Sequence, residues 1–175
     1  KADGHTRDGR LSPVPSPRNG TVDIHSIPQR AQAPERPDGA WFTSAPLEQD
    51  LEVTGPLMAQ LWVSSDKDDM PVFLQIQDID EDGQQLKFPF IVPGQQDEPV
   101  ARGWLLASER KLDPGQSTFY TPYHTHDEKQ PLHPGVMVPL QVEFWPTSLV
   151  FKKGHRIRLQ IRLDDYFHAP IEGTP

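Results

Sequence analysis

The sequence contains no cysteine. That excludes disulfides, thiolate metal sites and a cysteine nucleophile, and it leaves the redox compartment open. Long apolar runs are missing too. Nothing approaches the roughly 20 residues that cross a bilayer as a helix, so no membrane partner is expected. Residues 1–20 lack the apolar stretch of a secretory signal, which puts a cytoplasmic location ahead of export. Positive charge is in deficit: 17 basic residues stand against 25 acidic ones, for a formal net charge of -8. A chain of that sign repels phosphate backbones, and nucleic acid is not an expected partner.

Turn-formers, by contrast, are abundant, with 20 prolines and 12 glycines in 175 residues. Proline removes a backbone donor and clashes with the preceding helical turn, so long helices are disfavoured and many short strands are expected. Residues 1–39 hold Pro13, Pro15, Pro17, Pro28, Pro34 and Pro37 and read as an extended lead-in or linker. Within it, a short strand over 21–27 is the sole candidate element. Residues 40–175 read as one β-sandwich domain.

In that second part the apolar residues alternate. Trp41-Phe42-Thr43 and Leu51-Glu52-Val53-Thr54 read as short strands bounded by Pro46 and Gly55-Pro56. Leu57, Ala59, Leu61 and Val63 share one face, and Val72, Leu74 and Ile76 repeat that period before a tight turn at Asp82-Gly83. Residues 103–108 form another short apolar run. A long polar loop follows over 109–134. Val136, Val138, Leu140, Val142 and Phe144 make one apolar side of a strand. In Arg156-Ile157-Arg158-Leu159-Gln160-Ile161-Arg162-Leu163 the odd positions are apolar, which predicts a strand with its charged side in water. Period-2 patterning between turn signals predicts an all-β, two-sheet sandwich.

Several blocks occur in a familiar order. They are Phe42-Thr43-Ser44-Ala45-Pro46-Leu47-Glu48-Gln49-Asp50-Leu51-Glu52-Val53-Thr54-Gly55-Pro56, then Leu61-Trp62-Val63-Ser64-Ser65-Asp66. After these come Ala101-Arg102-Gly103-Trp104-Leu105, Arg110-Lys111-Leu112-Asp113-Pro114, and Trp145-Pro146-Thr147-Ser148 with Gly154-His155-Arg156-Ile157-Arg158-Leu159. Together, over roughly residues 40–163, this resembles the C-terminal domain of X-Pro dipeptidyl-peptidases and of the related cocaine-esterase-like (CocE/NonD) and α-amino-acid ester hydrolases. The resemblance implies a jelly-roll β-sandwich of galactose-binding-like type. It implies a partner as well, an α/β-hydrolase domain of the same protein that supplies a Ser-Asp-His triad, with this domain packing on it and shaping the rim of its active site. The family pattern continues through a Gly-rich loop into a further apolar strand, so a sandwich incomplete at its C-terminal side, from a longer protein, is expected. Homo-oligomerisation is left open.

No catalytic residue is expected in this chain. No serine has the Gly-x-Ser-x-Gly frame of a nucleophile elbow; Ser117 has Gly115 before it but Phe119 after it and reads as a turn residue. Asp78-Ile79-Asp80-Glu81-Asp82-Gly83 matches the first half of a calcium loop, but the twelfth position is Pro89, and an acidic hairpin tip is the expected reading. His155 follows Gly154 at a second hairpin tip. Tyr123, His124, His126, Asp127 and His133 form a histidine-rich loop. In an extended segment His124 and His126 point the same way, as a metal ion would need, but two histidines and one aspartate without a helix to fix them are a weak ligand set. The expectation is no metal and no cofactor. Trp41, Trp62, Trp104 and Trp145 would suit a sugar-stacking platform, although such residues more often fill a core or an interdomain contact. The candidate interdomain or rim contacts are therefore Trp104, Tyr123, His124, His126 and Asp127. The alternative is a free-standing carbohydrate- or ligand-binding module.

Overall fold

The computed structural model of the chain describes residues 11–14, 21–24, 39–88 and 99–163. Among them are nine strands and no α-helix. Strands β1 (Leu11–Val14) and β2 (Thr21–Ile24) pair antiparallel with each other. The second matches the short strand expected in the lead-in. No helix of the described residues is long and apolar enough to cross a membrane.

Two antiparallel sheets follow. One holds β3 (Ala40–Thr43), β5 (Pro71–Ile79), β6 (Gln85–Leu86), β7 (Ala101–Leu106) and β9 (Arg156–Arg162). Its order is β3-β9-β5, with β6 and β7 both along the far edge of β5. The other sheet is the long pair β4 (Leu51–Val63) and β8 (Val138–Phe151). The two sheets enclose Val72 and Leu74 of β5, Leu105 of β7, Leu159 of β9, and Leu140, Val142 and Phe144 of β8. Each such side chain contributes on the order of 1.5–3 kcal/mol when fully buried. A smaller cluster of Leu47, Phe151 and Ile157 closes one end.

The segments 51–54 and 57–64, which read as two strands, are one. Gly55 takes a φ of 109°, and the register shifts between Gly55 and Leu57: Gly55 faces Thr147 while Leu57 faces Phe144. Trp145 and Pro146 together therefore oppose Pro56, a β-bulge carried by β8. Proline donates no ladder bond, and a bulge is one of the few places a strand accepts it. The bulge also explains a change of phase. Leu140, Val142 and Phe144 point inward before it, and Leu149 and Phe151 after it.

Three expectations need correction. Val136 is exposed and precedes β8, because the turn at Gly135 (φ 77°) ends just before it. Leu163 lies beyond β9 and is exposed. The polar side of β9 is not simply in water. β9 is flanked on both edges, by β3 and β5, so Gln160 is buried and accepts a bond from Gln77 Nε2 at 3.0 Å, while Arg158 stacks 4.8 Å over the Trp41 ring. The hairpin at Asp82-Gly83 is as expected. Gly83 has a φ of 81°, and the Asp80 and Gln84 backbones bond across the turn.

The end of β7 is anchored by one carboxylate. Asp69 Oδ1 accepts Ser108 N at 2.9 Å and Met70 N at 2.8 Å, and Oδ2 accepts Ser108 Oγ at 2.6 Å. Burial pushes the Asp69 pKa up, but the Ser108 and Met70 bonds outweigh it and hold it below the ordinary 3.8. A depressed carboxyl stabilises the fold above its unfolded pKa, and that contribution disappears as pH falls through the folded value. Asp69→Asn is expected to cost about 1–3 kcal/mol at pH 7, measured as a lower urea midpoint, with the gap to wild type closing below about pH 4.

Candidate interdomain surface

Where β7 meets β8, the sheets come into backbone contact. Gly103 sits over Glu143 and Phe144, and a Cβ there would meet the Glu143 carbonyl carbon at 3.1 Å and Phe144 Cα at 3.4 Å. That close approach sets the side chains on either side of Gly103. Ala101 and Leu105 go inward, and Trp104 goes out. Across the seam, Trp145 follows the inward Phe144 and points outward as well. The two rings meet edge to face with centroids 5.6 Å apart, yet Trp104 is still 53% exposed and Trp145 49%. Two tryptophans held in this geometry are a preformed apolar rim, since aromatic pairs prefer edge-to-face contact and lose little entropy on being covered.

Of the remaining tryptophans, Trp62 is exposed on the outer face of β4, as its phase predicts, and Trp41 lies under Arg158 on the outer side of β3. The four do not make one platform. The Trp104–Trp145 pairing was not legible in the sequence. It depends on the crossing at Gly103, which is tertiary.

The loop over 109–134 is more organised than its polarity suggests. Leu112 and His124 form an isolated antiparallel bridge, with Asp113 N bonding Tyr123 O and Thr125 N bonding Lys111 O. Leu132 is buried in the main core, and Arg110 Nη1 donates to the carbonyls of Ala107 and Gln130. Ser117 is a turn residue: its N bonds Asp113 O and its Oγ accepts Tyr123 N.

The histidines behave differently from one another. His126 has a φ of 51°, so the chain is not extended there and the two rings do not project in parallel; their centroids lie 6.0 Å apart. His124 is half-buried. Burial and the neighbouring His126 push its pKa below 6.5 against a bond with the Gln141 backbone, so the ring is neutral at pH 7. Its buried Nε2 has no hydrogen-bond partner among the described residues. His126 Nδ1 lies 3.3 Å from Glu109 Oε2. Asp127 accepts Thr125 Oγ1 and joins Glu128 in holding Lys111 Nζ, at 3.1 and 2.9 Å. Among the described residues no three His, Asp or Glu side chains are grouped to hold a metal ion. Tyr123 stands exposed at the outer side of the loop, as does Phe119.

This architecture, two antiparallel sheets packed face to face, is that of a jelly-roll β-sandwich accessory domain. Residues 3–172 match the model of the X-Pro dipeptidyl-peptidase C-terminal non-catalytic domain, and the chain belongs to that family. It is 34% identical over 134 residues to proteins named "Putative serine esterase" from Mycobacterium bovis and Mycobacterium tuberculosis, covering 74% of this chain and 19% of each of theirs. A crystal structure of a CocE/NonD family hydrolase from Staphylococcus aureus is similar with a TM-score of 0.70 and 28% identity, over 80% of this chain and 25% of that one. An α-amino acid ester hydrolase shares the fold at a TM-score of 0.53 and 20% identity, over 75% of this chain and 19% of its own. The chain thus corresponds to a small part of larger hydrolase chains.

Proposed function

We propose that this chain is the C-terminal accessory domain of a serine hydrolase of the X-Pro dipeptidyl-peptidase or acyl and amino-acid ester hydrolase type. It packs on an α/β-hydrolase domain of the same polypeptide and shapes the rim of that domain's active site. One observation carries the docking: the exposed Trp104–Trp145 pair, held rigid at the β7–β8 seam. Apolar anchors of this kind dominate the energy of interfaces, and a surrounding polar margin sets their specificity. Tyr123, His124, His126 and Asp127 supply that margin. His124 takes part as a neutral ring, while Lys111, shared by Asp127 and Glu128, leaves that cluster with net negative charge.

The chemistry belongs to the partner domain. An activated serine there would be acylated by the substrate and the acyl-enzyme hydrolysed, with a histidine as base. Labelling the natural gene product with a fluorophosphonate probe tests the assignment. A mass well above 19.8 kDa carrying one adduct is the expected result; a mass near 19.8 kDa with no adduct would overturn it. The docking surface has its own test. In the intact polypeptide, Trp104→Ala with Trp145→Ala is expected to cost about 2 kcal/mol or more of interdomain stability and to split a single calorimetric transition in two. Tyr123→Ala with His124→Ala should lower kcat/KM. If both double variants keep the wild-type melting profile and kinetics, the domains do not meet on this surface.

A further inference from the structure

The turn between β8 and β9 is fastened to the end of β5, the strand beside β9, by two ionisable side chains. His155 Nδ1 lies 2.9 Å from Asp78 Oδ1, with the Asp78 side chain 2% exposed and that of His155 16%. Asp78 belongs to β5, where it stands opposite Ile157 of β9 and Leu86 of β6. The same turn holds the link between β3 and β4. Leu47 N donates to His155 O at 2.8 Å, Gly154 N to Leu47 O at 2.9 Å, and Ile157 N to Ser44 Oγ at 2.9 Å. Whatever fixes the His155 ring therefore fixes residues 44–47 too.

A carboxylate this deep is costly unless its charge is compensated. The other charged groups around it are engaged elsewhere or carry the wrong sign. Asp80, two residues along, repels Asp78. The Glu81 side chain packs against Gly154. Lys152 Nζ and Lys153 N both bond Asp50, and Arg156 Nη1 donates to Ser44 O. Among the described residues, the ionisable side chain bonded to Asp78 is His155. A proton on Asp78 cancels its charge. Without that proton a negative charge stays buried.

We propose that Asp78 and His155 form a latch that a proton tightens: one added proton clamps the β8–β9 turn and residues 44–47 onto β5, and its loss loosens both. Burial, then the Asp80 charge, push the Asp78 pKa above the ordinary 3.8, and the bond from His155 only partly offsets them. A carboxyl raised in the folded state stabilises most below its unfolded pKa, and the gain is lost as pH rises through the folded value. The latch thus tightens as pH falls toward the ordinary carboxyl range, opposite to Asp69.

Hydrogen exchange of the intact polypeptide reads this locally. Corrected for intrinsic exchange, protection of peptides covering 44–50 and 152–157 is expected to fall several-fold as pH rises from about 3.5, below the ordinary carboxyl pKa, to about 8. Peptides within 57–63 and 140–144 serve as the internal reference and should hold steady. Asp78→Asn should abolish the pH response, Glu81→Gln should leave it unchanged, and His155→Gln, which removes the group that offsets the burial of Asp78, should keep the response and move it to higher pH. A response absent from the wild type, or one whose midpoint His155→Gln leaves in place, would overturn the latch.

Discussion

Gly103→Ala is expected to lower the stability of the fold by about 3 kcal/mol or more. The substitution looks mild in a strand, where alanine costs no entropy. Its Cβ, however, would overlap the backbone oxygen of Glu143 and press on Phe144 Cα. Both obstacles are main chain, so neither can swing aside; β7 would have to lift off β8 along the seam that covers Leu140, Val142 and Phe144. Overpacking a core commonly costs about 1–3 kcal/mol, and here the displaced atoms are main chain of two strands each held in its own ladder, β7 with β5 and β8 with β4, so the upper end, about 3 kcal/mol or more, is expected against a total of about 5–15. Urea unfolding followed by tryptophan emission is the suitable probe, because Trp104 and Trp145 report the same seam. A midpoint equal to that of wild type would mean that the two strands are not in contact at Gly103.

Phe144→Ala should be nearly as damaging. Phe144 is the last inward residue of β8 before the bulge, opposite Leu57, and it is 2% exposed. Truncation removes the apolar contacts and leaves a cavity beneath rigid strands that cannot collapse into it; losses of about 3–5 kcal/mol are typical. Phe144→Leu keeps most of the volume and is expected to cost less than about 1.5 kcal/mol. The contrast between the two, measured as a difference in urea midpoint, separates packing from any role of the ring itself. A deficit of similar size in both would show that the aromatic edge, not the filled volume, is what the core needs.

Much of the sandwich was legible because its strands alternate cleanly. Leu140, Val142 and Phe144 in β8, Ile157 and Leu159 in β9, and Val72 and Leu74 in β5 all turned inward as their period required. Blocks of family sequence added the jelly-roll class, which alternation alone does not specify. What could not be read has a common cause. Joining 51–54 to 57–63, pairing Trp104 with Trp145, and burying Gln160 all depend on which strand lies beside which. Asp78 shows the same limit. In sequence it opens an acidic run that resembles a calcium loop, yet its position on β5 turns it toward His155, 77 residues away. The relative setting of His124 and His126 was hidden for a local reason, a left-handed backbone at His126 with no glycine to announce it.

The bulge at Trp145 and Pro146 also decides where β8 can change length. Elsewhere in the strand, losing one residue would slip the ladder and turn every later side chain over, sending Phe151 into solvent and Val150 into the core. At the bulge the extra residue is already set aside. Removing either Trp145 or Pro146 would leave Phe144 facing Leu57 and Thr147 facing Gly55, with inward and outward faces unchanged on both sides. The strand thus has a single built-in expansion joint. Relatives whose β8 is one residue shorter should have lost that residue at this joint, and with it one half of the aromatic rim whenever the missing residue is the tryptophan.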